Sequence, residues 1–126
     1  MKFKFATGTV ALGTAAALAL ATAVPAQAAE PGVTSNKIVI GTTTALTGPA
    51  APGYKDVPAA AQAYFDYVNA NGGINGRKID LRVFDDQYNP ALAKKGTTQL
   101  ILRDKIFAMF GALGTPTHSA VVQDLN

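Results

Sequence analysis

The sequence predicts an α/β domain built on an open parallel sheet with flanking helices, in the order βαβαβα. Two observations carry this. Short apolar runs ending at Gly or at a polar pair alternate with longer segments of helical period, and each helical segment has its own start and stop residues. The chain also has no cysteine, so no disulfide staples it and its fold must depend on a hydrophobic core.

The chain opens with a segment that is expected to be removed. Lys2 and Lys4 precede an apolar stretch over residues 10–24, Pro25 breaks it, and Ala26-Gln27-Ala28 has the small-x-small pattern of a cleavage site. Residues 1–28 therefore read as a secretory signal peptide. A membrane anchor fits less well, because the run is short and Ala-rich against roughly 30 Å of hydrocarbon and no charged stop follows it. Cleavage leaves 98 residues and lowers the formal charge from +3 to +1. No basic cluster remains to favour nucleic acid or an anionic membrane. Export to the periplasm or cell surface is the expectation. Ala29 stands where a lipoprotein would need cysteine.

Residues 29–36 read as a polar, flexible leader, and residues 37–126 as the folding part of the chain. Residues 37–41 (KIVIG) are a β-branched run suited to a strand covered on both faces. Residues 42–55 hold two Pro and two Gly and predict a loop. Asp56 is placed to cap the next helix, with Pro58 in its first turn. Ala60, Ala63, Tyr64, Tyr67 and Val68 recur at helical spacing and predict its buried stripe, with Tyr64, Phe65 and Tyr67 mostly in the core. Asn71-Gly72-Gly73 ends that helix.

Residues 78–84 alternate charged and apolar, the pattern of a half-exposed outer strand. Asp85-Asp86-Gln87 is its polar exit. Asn89 and Pro90 open a further helix whose buried face is Ala93, Thr97, Leu100 and Ile101. Residues 106–110 are the third strand, stopped by Gly111. Gly114-Thr115-Pro116-Thr117 leads into a third helix over residues 119–125.

In an open parallel sheet a ligand binds beyond the carboxyl ends of the strands, where strand order reverses. With the first strand central and right-handed crossovers, that point lies between strands one and three. The loops that matter are then residues 45–54 and 111–118. They offer the hydroxyls of Thr47, Thr115 and Thr117, backbone amides at Gly48, and the start of the third helix. The competing reading is that Thr115 only caps its helix.

Ala45-Leu46-Thr47-Gly48-Pro49, the stretch NANGGINGRKI over residues 69–79, and Asp85-Asp86-Gln87 resemble the amino-terminal part of ABC-transporter solute-binding proteins of the leucine/isoleucine/valine type, the type I periplasmic binding proteins. The resemblance runs from about Lys37 to the last residue. It implies the first part of lobe 1 of a two-lobed receptor that closes on a small solute, a branched-chain or related amino acid, and delivers it to a membrane permease. It also implies that the chain stops before the domain is complete and that a second lobe comes from later sequence. By position, the ligand residues carried over are Thr115, Pro116 through its backbone, Thr117 and the adjacent His118. The resemblance also implies that the first loop borders the ligand around residues 50–54, with Tyr54 as the candidate there, beside the Thr47 and Gly48 that the loop's composition offers. Pro116 stands where a small polar residue is often found, and it lacks an amide donor.

Other chemistry fits poorly. His118 and Ser119 are neighbours without a third group to orient a base, so a secreted hydrolase is a remote alternative and no catalytic residue is assigned. Asp85 and Asp86 are too few for a metal site and suit turn hydrogen bonding better. Gly72, Gly73 and Gly76 follow a helix instead of linking strand to helix, so the dinucleotide pattern fails. No cofactor is expected. A ligand-sensing ectodomain of the same fold is the nearer alternative.

Overall fold

The computed structural model describes residues 30–125; the segment read as a signal peptide lies outside them. Seven elements follow in order: β1 (Lys37–Thr44), α1 (Ala51–Tyr54), α2 (Val57–Ala70), β2 (Lys78–Asp85), α3 (Pro90–Leu102), β3 (Ala108–Met109) and α4 (Thr115–Ser119). The three strands form one parallel sheet in the order β2-β1-β3, so the first strand is central and the second is an outer strand, as expected.

β1 and β2 pair over their full lengths, Lys37 opposite Lys78 through Thr44 opposite Asp85. β1 thus runs three residues further than expected. Thr42, Thr43 and Thr44 are buried, because β-branched threonines suit a central strand once neighbours on both sides supply its hydrogen bonds. β3 is shorter than expected, but Phe107, Phe110 and Leu113 donate to the carbonyls of Val39, Gly41 and Thr43, which carries the pairing past Gly111.

The helices flank the sheet on opposite faces. Thr42 and Thr44 share a recess with Pro58 and Ala61 of α2, whereas Gly41, one step out of phase, sits against Leu100 of α3 and Ile106. On the α3 face the core is Ala93, Leu100, Ile106 and Val121. α3 comes down on β2 at Gly96, where a Cβ would lie 2.3 Å from the Phe84 ring, so only glycine admits this approach. Ala93, Thr97 and Leu100 are buried as the periodicity predicts, and Ile101 is half-buried. Asn89 caps α3 through its side chain, accepting from Ala91 and Leu92 at 2.8 and 3.3 Å.

α2 corrects the expected stripe. Tyr64 and Tyr67 are 64% and 66% exposed, and Ala60 and Ala63 are exposed, while Pro58 and Phe65 are buried. Phe65 meets Phe110 edge-on at 5.2 Å. Both faces of the helix carry apolar residues, so period alone does not select one. Asn69 marks the phase: its amide accepts from the Ile79 N–H at 2.7 Å and donates to the Ile79 carbonyl at 2.9 Å, meeting the unpaired outer edge of β2. At the start of α2, Asp56 occupies the N-cap position without a side-chain capping bond. At its end Gly73 donates to the Val68 carbonyl at 2.9 Å, as the Gly-Gly signal predicts.

Three further segments differ from expectation. α1 forms a single turn inside the predicted loop, with Pro52 in its first turn. α4 begins four residues earlier than the predicted helix and is five residues long. Its start follows from Gly114 at φ +104° and Pro116 in the first turn. The leader, at residues 30–36, is hydrogen-bonded to the sheet: Val39 donates to the Gly32 carbonyl at 2.7 Å, and Thr34 to that of Lys37 at 2.8 Å.

Candidate functional site

The chain leaves the carboxyl ends of β1, β2 and β3 in three neighbouring turns, and two adjacent acids organise them, Asp85 at the end of β2 and Asp86 just after it. Asp85 accepts from the amides of Leu46 (2.9 Å), Thr47 (3.3 Å) and Gln87 (3.0 Å) and from the Thr47 hydroxyl. Partial burial pushes the Asp85 carboxyl up, but the hydroxyl and the three amides outweigh it and hold it below the usual carboxylate range.

Asp86 is fully buried. Its amide donates to the Thr44 carbonyl at 3.0 Å, and its Oδ1 accepts from the Tyr88 amide at 2.8 Å. Its Oδ2 has no partner among the described residues. Loss of solvent raises its pKa, the Tyr88 amide opposes this, and the neighbouring charge of Asp85 adds to the rise. The pair therefore serves turn hydrogen bonding, as the sequence suggests. Among the described residues no group of three or more His, Cys, Asp or Glu is placed to hold a metal ion.

Between the two acids and α3, Gln87 and Tyr88 adopt φ of +52° and +62°, a left-handed conformation uncommon for residues other than glycine. The side chains of Asp85 and Asp86 hold both amides. This turn carries the Tyr88 ring onto Tyr54, stacked with centroids 5.4 Å apart and planes at 29°. The ring also lies against Gly114, where a Cβ would sit 2.8 Å from Tyr88 Cε2.

The predicted residues thus divide. Tyr54 faces Tyr88, and Gly48 lies beside Gln87, so the first loop and the strand-two exit form one wall. The Thr47 hydroxyl is engaged with Asp85. Thr115 and His118 are exposed and line a shallow recess of about 340 Å³ with Leu113, Gly114 and Ser119; Pro116 is exposed beside them. Thr117 points the other way: it is buried, and its hydroxyl lies 2.9 Å from the carbonyl oxygens of both Leu113 and Gly114. Thr115 does not cap α4, since Gly114 occupies the N-cap position without a side-chain bond. No hydrogen bond joins His118 to Ser119 among the described residues. Sequence reasoning missed Tyr88. Its one signal is an aromatic ring in an otherwise polar strand exit, outside any amphipathic pattern.

Residues 37–126 match the model of a family described as periplasmic binding protein. Among solved structures, the chain is similar to a fatty acid ABC transporter substrate-binding protein from Thermomonospora curvata, with 39% identity and a TM-score of 0.67 over 75% of this chain and 24% of that one. It is also similar to a type 1 periplasmic binding protein from Bordetella pertussis (33% identity, TM-score 0.63, 71% and 24% of the two chains). A third is the branched-chain amino acid transporter substrate binding protein LivJ from Streptococcus pneumoniae in complex with isoleucine (29% identity, TM-score 0.67, 71% and 26%). The chain spans about a quarter of the length of each of these structures. No curated protein sequence matches it.

Proposed function

Since the chain belongs to the periplasmic binding protein family, we propose that it supplies one wall of an extracytoplasmic receptor that binds a small solute reversibly and presents it to an ABC permease. The observation that carries this reading is the convergence of the exits of β1, β2 and β3 at one end of a parallel sheet with β1 in the centre. That is the topological switch point, where α/β folds bind ligands. The wall has hydroxyl and aromatic surface from Tyr54, Tyr88, Thr115 and His118 and no Lys or Arg among the residues named. It suits a small solute held by hydrogen bonds and ring contact more than by an ion pair with this lobe.

The proposed ligand is a branched-chain or related amino acid. Thr115 and the backbone of residues 111–115 would meet its carboxylate, and the Tyr54 side would border its body. Affinity in such a receptor arises as a second lobe closes over the solute. The 39% identity to the fatty acid transporter protein favours a second reading, a fatty acid. Both solute classes join a carboxylate to an aliphatic body, so the same contacts serve either.

Titration calorimetry of the full-length gene product tests this. The panel is leucine, isoleucine, valine, other amino acids, simple amides, urea and medium-chain fatty acids. Saturable binding of a branched-chain amino acid supports the first reading and binding of fatty acids alone selects the second. Failure to bind any of them removes the solute-receptor assignment for these classes.

A further inference from the structure

We infer that Tyr88 is a positioning residue of the candidate site: it sets the spacing between the Tyr54 wall and the Gly114–Thr115 wall. The inference rests on the solute-receptor reading for its functional meaning, though its structural content stands apart from any ligand. Four observations carry it. The Tyr88 ring stacks on Tyr54 at 5.4 Å on one side. The edge of the same ring, together with the Thr117 hydroxyl, closes the space where a Cβ on Gly114 would stand. Its backbone is left-handed, as is that of Gln87 before it, so the ring's direction is set by the turn and not by a regular element. Lastly, two separate carboxylates hold that turn, Asp85 on the Gln87 amide and Asp86 on the Tyr88 amide.

These contacts make one chain of rigid parts. Asp85 also holds the start of the first loop through Leu46 and Thr47, so the first loop is tied to the strand-two exit both by hydrogen bonds and by the ring stack. The third loop meets this cluster at Gly114, against the ring. Removing the ring would leave Tyr54 and Gly114 without their shared spacer. The width of the wall, and with it the girth of solute admitted, would change. The Tyr88 hydroxyl also interacts with that of Tyr54, which raises the Tyr88 pKa, while the stack and the Gly114 contact are made by ring carbons.

The test compares Tyr88→Leu with Tyr88→Phe in the full-length gene product. The expected result for Leu is a three- to tenfold affinity loss, the scale of one aromatic pair, with the rank order of ligands of different girth altered. The Tyr54 ring and Gly114 amide resonances should both shift in the Leu variant, while Phe restores resonances, affinity and rank order. A Leu variant that keeps both resonances in place, or whose affinities fall uniformly across the panel, overturns the inference. If the wild type binds no solute of the panel, the receptor reading fails, and the two resonances in the unliganded protein still decide whether Tyr88 positions the walls.

Discussion

Asp85, the last residue of β2, accepts two hydrogen bonds from Thr47, one from its amide at 3.3 Å and one from its hydroxyl. The contact joins the exits of adjacent parallel strands, since Asp85 lies opposite Thr44 in the register. A neutral hydroxyl offers the carboxylate little charge, yet four donors together hold Asp85 in its ionised form. Strand exits in such sheets otherwise leave amides unmet, and one acid meets three of them.

Replacing Asp85 by Ala should cost about 1–3 kcal/mol, because several charge-assisted bonds are lost in a partly exposed site. The sign of its pH dependence follows from its lowered pKa. The contribution of Asp85 is complete above the ordinary carboxylate value and is lost as the pH falls through the lower folded value. Urea titrations across the acid range should show Asp85→Asn with a smaller acid-induced loss than the wild type.

Asp86 predicts the opposite slope. Burial raises its pKa, so the folded protein favours the protonated form. Its contribution is complete below the ordinary carboxylate value and declines as the pH rises through the folded value. Asp86→Asn keeps an oxygen for the Tyr88 amide and removes the charge. Its stability relative to wild type should therefore be greater at pH 7 than at pH 3. An unchanged difference across that range would contradict the assignment.

Gly96→Ala should destabilise by about 1–3 kcal/mol, the usual cost of overpacking, because the new methyl meets the Phe84 ring. Adding Phe84→Leu should recover part of that loss. The check is a double-mutant cycle by thermal unfolding, with a nonzero coupling between the two positions as the expected outcome.

The two faces of α2 should respond unequally. Phe65→Ala removes a ring that is 7% exposed and packed on Phe110, and a loss of about 3–5 kcal/mol is expected. Tyr67→Gln changes a ring that is 66% exposed and should stay within about 0.5 kcal/mol. Equal losses in a denaturation series would restore the stripe that periodicity suggested.

That stripe shows where the sequence ceases to decide. Local signals act within a few residues of themselves, and these were readable: Asn89-Pro90 opens α3, Asn71-Gly72-Gly73 closes α2, and the β-branched run at residues 37–41 is a strand. Their order alone determines a parallel α/β sheet, because alternating strands and helices have few ways to bury their apolar faces. The ends of β1 and α4, the buried side of α2 and the place of Tyr88 depend on what each segment meets across the fold. Thr42–Thr44 reads as loop until strands on either side pair with it. Tyr88 reads as a polar-exit residue until Asp85 and Asp86 turn its ring between Tyr54 and Gly114. Such contacts join residues far apart in sequence, and no periodicity or local propensity encodes them.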